Sequence, residues 1–134
     1  MEDVAAVIDQ WMKNKPKEER TKLLVQNREH TWNIPLDTVF YIEGNDKNQL
    51  LHASNLPEPE PVRRSMQELE ETLAPSGFLR IHKGYLVNYT FIRRLENTEA
   101  VLNNGERIPL SRRRVQEIRV QYLDLMQGGD SVIL

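Results

Sequence analysis

The 134-residue sequence contains no cysteine, so neither a disulfide framework nor a thiolate metal site can form. It has no apolar run near the roughly 18 residues that a membrane span needs. Its N-terminus, MEDVAAVIDQWMKN, lacks the apolar stretch and cleavage site of a secretion signal. These absences predict that the chain is neither secreted nor inserted into a membrane, and we expect a cytoplasmic location.

Signatures of catalysis and of cofactor binding are also missing. Only six glycines occur, and they build no Gly-rich phosphate loop. His30, His52 and His82 lack the spacing of metal ligands. Glu70 and Glu71, as neighbours on a helix, would point about 100° apart, which makes a poor acid/base pair. We therefore expect no enzyme activity, no catalytic residues, no metal and no cofactor.

Charge of the two signs is unevenly distributed along the chain. The net charge of −2 argues weakly against nucleic acid as a ligand. Residues 74–95, however, include no acid, although they contain Arg80, Lys83, Arg93 and Arg94. Such segregation can offer phosphates a positive face despite an acidic average. Ordinary solvated surface charge would explain the same pattern. Charge segregation alone therefore does not decide between a phosphate-binding face and a solvated surface.

The pattern of apolar residues divides the chain into three parts. Residues 1–20 are predicted to form an amphipathic helix and a charged linker, residues 21–126 a domain, and residues 127–134 a tail. The helical stripe consists of Val4, Val7, Ile8 and Trp11. This helix could pack on the domain, pair two chains, or end a missing upstream domain.

Apolar and polar residues alternate through most of the domain, which predicts about nine short strands. They are expected at residues 22–26, 31–34, 38–42, 49–53, 78–81, 85–88, 90–95, 99–102 and 106–110. Residues 56–61 carry three prolines and are predicted to be irregular. Asn-Gly at residues 104–105 predicts a hairpin turn with positive φ at both central residues. The pattern lacks βαβ alternation, which argues against a parallel nucleotide-binding sheet.

Two helices are predicted within the domain. Ser65 and Glu68 form a capping box before an apolar stripe that ends near residue 73. A last helix is expected over residues 112–126, with Ser111 as its N-cap and a Gly-Gly pair as its stop. The predicted fold class is mainly β with short helices (α+β), in which one central helix is flanked by N- and C-terminal helices.

Three polar segments are candidates for ligand binding. Arginines in the first turn of a helix, here Arg112, Arg113 and Arg114, oppose the macrodipole, and such departures often mark functional sites. Lys83 lies in a tight His-Lys-Gly turn, and the loop of residues 43–48 holds amides that could bond base edges. The alternatives are a solvated helix end and ordinary polar turns.

Two motifs, FLRIHKGYLVN at residues 78–88 and NGERIPLSRR at residues 104–113, resemble the LytTR DNA-binding domain. That family shows F-x-R-x-H-(K/R)-(S/G)-Y-(L/I)-V-N, then an isoleucine, an N-G hairpin and I-P-(V/L)-S-(R/K). VFYIE and SMQELEETL fit the family upstream, so the resemblance covers roughly residues 21–115. It implies an elongated arrangement of about ten strands in small sheets. Loops, rather than a recognition helix, would enter successive major grooves at direct repeats in promoters.

The resemblance also implies which residues contact DNA. Lys83 and Arg113 are assigned to bases, and the other two arginines of the triplet to phosphates. For His82 and Asn88 a structural role is favoured, in which His82 holds the turn and Asn88 bonds backbone across strands. The candidate DNA-binding residues are Asn45, Lys47, Asn48, His82, Lys83, Arg112, Arg113 and Arg114.

Members of the LytTR family usually follow a receiver domain or a membrane segment, whereas here only residues 1–20 precede the domain. We therefore expect a bacterial, response-regulator-like protein that either stands alone or is excised from a longer regulator. Double-stranded DNA is the expected partner, and a homodimer is possible. The alternative function is a protein-interaction module whose terminal helices bind a membrane sensor, an inhibitor or another regulator.

Overall fold

The computed structural model describes residues 21–45, 48–129 and 131–134, so the predicted N-terminal helix lies outside the described residues. In this part of the chain ten strands and two α-helices form. The strands are β1 (Lys22–Gln26), β2 (Thr31–Pro35), β3 (Val39–Gly44), β4 (Gln49–Ala53), β5 (Glu60–Val62), β6 (Phe78–His82), β7 (Tyr85–Asn88), β8 (Ile92–Leu95), β9 (Glu99–Leu102) and β10 (Arg107–Pro109). The helices are α1 (Met66–Leu73) and α2 (Val115–Gln127).

The strands form three antiparallel sheets. A central sheet has the order β5-β4-β3-β7-β6, β1 and β2 form a hairpin, and a third sheet has the order β10-β9-β8. Each strand pairs only in the antiparallel sense. The predicted fold class, mainly β with short helices, is confirmed.

Neighbouring residues of a strand point to opposite faces, so the central sheet contributes to two cores. On one face Ile42 and Leu86 pack with α1 and the β1–β2 hairpin. On the other face Tyr41 and Val87 pack with α2 and the three-stranded sheet. Burial on both faces places β3 and β7 at the centre of the molecule, where their ends carry the loops described below.

Helix α1 begins where its sequence predicts. The Ser65 hydroxyl accepts a hydrogen bond from the Glu68 amide (3.1 Å) and lies 3.2 Å from the Glu68 carboxylate. The helix passes into a 3-10 turn that ends at Gly77. Gly77 has a φ of 93°, a left-handed conformation that glycine adopts at little steric cost. The predicted cap of the central helix is confirmed.

Residues 60–62 form strand β5, so the prediction of irregular structure across 56–61 is wrong there. Pro61 lies opposite Leu50 of β4. Proline is tolerated because β5 is the edge of the central sheet, where a missing N–H need not interrupt a ladder. The sequence shows the prolines but not the edge position.

The predicted geometry of the Asn-Gly turn is also wrong, because only Gly105 has positive φ (90°). The Gly105 amide donates to the Leu102 carbonyl (2.9 Å), and the Leu102 amide to the Glu106 carbonyl (2.8 Å). The β9–β10 connection is therefore a three-residue loop with a glycine bulge rather than a two-residue turn.

The C-terminal helix starts three residues later than predicted, because Arg112–Arg114 form a separate 3-10 turn. Ser111 precedes that turn but makes no capping hydrogen bond with its side chain, so the predicted Ser111 cap is wrong. Helix α2 ends at Gln127, directly before the glycine pair. No helix among the described residues is both long enough and apolar enough to span a membrane.

Candidate nucleic-acid interface

Two of the three predicted segments meet at one end of the central sheet. Because β3 and β7 are antiparallel neighbours, the loop after β3 lies beside the turn before β7. The Gly44 amide donates to the Gly84 carbonyl (2.8 Å), which continues the ladder past the strand ends. A Cβ on Gly44 would lie 3.5 Å from the Gly84 Cα, so the two backbones pack closely.

The loop after β3 closes on itself through a hydrogen bond from the Asn45 amide to the Asn48 carbonyl (3.0 Å). Asn45 is exposed and Asn48 is half-buried. Lys47, the third candidate in this loop, lies outside the described residues. The two described asparagines therefore stand next to the β6–β7 turn.

The third segment joins the same end of the sheet through the last strand, β6. The Ser111 amide donates to the Ile81 carbonyl (2.7 Å), so the Arg112–Arg114 turn begins beside the end of β6. Arg112 and Arg113 are exposed, and their side chains make no hydrogen bond or ion pair with another described residue. Three segments that are distant in sequence thus adjoin one another.

The turn between β6 and β7 is held by His82. Its Nδ1 accepts a hydrogen bond from the Gly84 amide (3.1 Å), and its ring lies edge-on to Tyr85 at 5.7 Å between centroids. Lys83 is exposed at the tip of the turn. The geometry matches the structural role favoured for His82, and it leaves Lys83 as the cation that the turn presents.

Arg80 is a component of this site that sequence reasoning did not single out. Its Nε donates to the His82 carbonyl (3.2 Å), its Nη2 to the Lys83 carbonyl (2.6 Å) and its Nη1 to the Glu70 carboxylate (3.1 Å). The side chain is only 19% exposed. The sequence shows that Arg80 lies in the acid-free stretch. It does not show that the side chain of Arg80 points into the protein.

Arg114 differs from the two arginines before it. Its Nη1 donates to the Arg80 carbonyl (3.2 Å) and its Nε to the Glu117 carboxylate (3.2 Å). Arg114 is half-buried, whereas Arg112 and Arg113 are exposed. The guanidinium of Arg114 is therefore engaged within the protein.

Three of the described acids near this end of the sheet bind neighbouring side chains. Glu43 lies 2.7 Å from the imidazole of His52, and Glu70 and Glu117 bind arginines as described above. Glu70 and Glu117 are offset by arginines, and Lys83, Arg112 and Arg113 are exposed cations among the described residues of this surface. A surface of this kind suits a polyanion.

Asn88 lies in the interior at the other end of β7 and belongs to the fold rather than to this surface. Its Nδ2 donates to the carbonyls of Leu36 (3.2 Å) and Val39 (3.0 Å), and its Oδ1 accepts from the Thr90 amide (3.1 Å). The last bond caps the 3-10 turn Tyr89–Phe91. Because of this turn, β8 begins at Ile92, two residues after its predicted start. Asn88 thus forms hydrogen bonds with the backbone of other elements, which is the structural role expected for it.

The histidines occupy separate places. His30 lies near Glu60 at 3.4 Å, His52 binds Glu43, and His82 holds its turn. Across residues 21–45, 48–129 and 131–134, no three potential metal-ligating side chains come together.

Comparison with known proteins gives a family. Residues 29–122 match the model of the LytTr DNA-binding domain. A solved LytTr DNA-binding domain from Bacillus cereus, part of a protein named as a methyl-accepting/DNA response regulator, is similar, with 25% sequence identity and a TM-score of 0.63. The similarity covers 76% of this chain and 96% of that one. No curated protein matches. Because the family match spans most of the described domain, this chain belongs to the LytTr DNA-binding domains, which are a family of DNA-binding domains and not of enzymes.

Proposed function

We propose that the chain binds double-stranded DNA sequence-specifically through the end of the central sheet and thereby regulates transcription. The observation that carries this proposal is the junction of three segments by the Gly44–Gly84 and Ser111–Ile81 backbone bonds. That junction groups exposed cations on a rigid support, which favours precise contacts. The contact residues are Asn45, Lys47, Asn48, Lys83, Arg112 and Arg113, with His82 supporting the turn.

Within this surface we assign Lys83 and Arg113 to base edges and Arg112 to phosphate. Arginine can fork onto the O6 and N7 atoms of guanine, and lysine can reach the same acceptors. Asn45 and Asn48 have amides that suit base edges. Arg114, which is bound to the Arg80 carbonyl and to Glu117, holds the segment instead of touching phosphate.

We further propose that the loops enter successive major grooves at direct repeats, in the cytoplasm of a bacterium. The domain would comprise residues 21–126, preceded by the helix and linker of residues 1–20 and followed by a tail at 127–134. Charge-neutralising contacts would make binding weaken with salt at a log–log slope of about −0.9 per phosphate contacted.

Selection of bound DNA from a random duplex pool tests this proposal. The wild-type chain should enrich a short motif in repeated half-sites, and the Lys83→Ala/Arg113→Ala variant should not. The matched control is Arg28→Ala/Arg63→Ala, which removes two exposed arginines from outside the proposed surface. Absence of any enriched motif at low salt would refute sequence-specific binding by this chain. Equal enrichment by wild type and Lys83→Ala/Arg113→Ala would refute the contact assignment.

A second candidate function, protein interaction, is favoured by apolar residues on α2. Val120 is 56% exposed and Leu123 is 37% exposed, and they lie three residues apart on one side of the helix. A second copy of the chain, a membrane sensor or an inhibitor could cover them, with or without the helix of residues 1–20. Deletion of residues 1–20 separates the functions, since DNA affinity should survive it unless that helix dimerises the chain, whereas a partner that binds the helix should be lost.

A further inference from the structure

We propose that Arg80 is a positioning residue whose side chain holds the β6–β7 turn in the conformation that presents Lys83 to DNA, beside the Arg112–Arg113 segment. The proposal rests on the function proposed above and adds to it a residue that does not touch DNA. It starts from four consecutive carbonyl oxygens, those of residues 80–83, each of which accepts a hydrogen bond.

The first two of these carbonyls bind the third segment. The Arg80 carbonyl accepts from Nη1 of Arg114 (3.2 Å), and the Ile81 carbonyl accepts from the Ser111 amide (2.7 Å). One bond comes from Ser111, directly before the arginine triplet, and the other from Arg114 at its end, so Arg112 and Arg113 lie between two points of attachment. The backbone at Arg80 and Ile81 therefore sets where Arg112 and Arg113 lie.

The next two carbonyls bind the side chain of Arg80 itself. Nε and Nη2 donate to the carbonyls of His82 and Lys83, which belong to consecutive residues at the tip of the turn. A planar guanidinium can bind both oxygens and still offer Nη1 to a third acceptor, whereas a lysine ammonium has no such fixed fork. Arg80 thus holds the residue whose side chain we assign to a base.

Glu70 binds the third donor of the guanidinium, Nη1. It projects from α1, which packs on the central sheet, and its carboxylate lies 3.1 Å from Nη1 of Arg80. Arg80 is mostly buried, so its charge needs this partner. The carboxylate also offsets a positive charge that would otherwise repel the neighbouring Lys83.

Order in the turn matters for binding because a mobile contact residue must be immobilised when DNA binds. Without Arg80, the carbonyls of His82 and Lys83 would be held by water, and the turn would sample other conformations. The effect of Arg80 on DNA binding should therefore pass through Lys83. This coupling distinguishes a positioning residue from a residue that merely stabilises the fold.

A double-mutant cycle measures the coupling. Arg80→Ala, Lys83→Ala and the double variant are titrated by fluorescence anisotropy with the selected duplex and with a scrambled duplex. Each single variant should weaken binding to the selected duplex about tenfold, the scale expected for a lost base contact. The double variant should be no more than about twofold weaker than Lys83→Ala, because coupled residues do not add. The proposal would be overturned if Arg80→Ala did not weaken binding to the selected duplex. It would also be overturned if the affinity loss of the double variant equalled the product of the two single losses.

Two further variants guard against a general loss of structure. Glu70→Gln keeps the shape of the side chain and removes its charge, so it should weaken binding in the same coupled manner but by less. Arg64→Ala removes the exposed Arg64–Glu68 pair at the start of the same helix and should leave affinity unchanged. Thermal unfolding of each variant confirms that it is folded at the assay temperature.

Amide hydrogen exchange gives a readout that does not depend on DNA. In Arg80→Ala the amide of Gly84 should exchange faster than in wild type, while the amides of Ser111 and of β9 should not. If wild type fails to distinguish the two duplexes, the proposed function fails. Faster exchange at the Gly84 amide would then still show that Arg80 orders the turn, and unchanged exchange would refute that as well.

Discussion

Replacement of Asn88 by alanine should destabilise the domain far more than a typical polar substitution. Asn88 is 4% exposed, and its amide group donates to the carbonyls of Leu36 and Val39. Alanine removes both donors, at about 1–1.5 kcal/mol each, although the Leu36 carbonyl still accepts a hydrogen bond from the Val39 amide. The amide of the exposed Thr90 can turn to water, so its loss adds less. The expected destabilisation is about 3 kcal/mol, which would lower Tm by roughly 10 °C in a domain of this size.

Urea unfolding followed by circular dichroism measures this free energy. Asn33→Ala, on an exposed position of β2, is the control and should change stability by at most about 0.5 kcal/mol. Asn88→Asp should be at least as destabilising as Asn88→Ala at neutral pH, because a buried carboxylate would face two carbonyl oxygens. A loss below about 1 kcal/mol for Asn88→Ala would refute the view that this amide joins β7 to the segment before β3.

Three further predictions concern single residues. Arg113→Ala should weaken binding to a selected duplex by about 1–3 kcal/mol in anisotropy titrations, and by less on scrambled DNA; equal losses would move Arg113 to a phosphate role. Gly77→Ala should lower thermal stability more than Gly105→Ala. Both glycines have positive φ, but a Cβ at Gly77 would lie 2.6 Å from an aromatic ring, whereas at Gly105 it would meet nothing within 4 Å. Equal losses would show that the ring moves aside freely. Burial, with a hydrogen bond to a carboxylate, raises the pKa of the Tyr41 hydroxyl. The neutral phenol therefore stabilises the fold fully below the usual tyrosine pKa of about 10, and this contribution is lost as pH rises above it. Tyr41→Phe should flatten the decline of stability at alkaline pH, and an unchanged slope in pH-dependent unfolding would contradict this origin.

Much of the secondary structure follows from local pattern. Strands β1, β4, β7 and β9 have the predicted bounds, because alternation and flanking turn residues both mark their ends. Strand β5 was missed because its stability comes from β4, its only neighbour, rather than from its own residues. The β9–β10 loop was wrong for a related reason, since the register of the two strands selects a three-residue loop in spite of the Asn-Gly pair.

The candidate surface could be predicted as three segments but not as a set of side-chain directions. Lys83 and Arg113 project from the fold, whereas Arg80 and Arg114 turn inward, although all four belong to basic stretches. Arg80 and Arg114 turn inward because the tertiary structure brings carbonyl and carboxylate acceptors close to them. The partner of Arg80, Glu70, projects from α1, a helix whose polar residues are expected to face solvent.

The negative net charge is compatible with a DNA-binding surface because Glu70 and Glu117, two of the described acids near that surface, are offset by arginines. Glu70 and Glu117 bind Arg80 and Arg114, the two arginines that do not face outward. Each pair is close to neutral, so these two acids subtract little from the field of the exposed cations. At physiological ionic strength charges beyond about 8 Å are largely screened. The remaining acids of the chain therefore weaken long-range attraction to DNA more than contact itself. Specific affinity should then depend on how well Arg80 and Arg114 place the exposed cations, and less on the sum of charge.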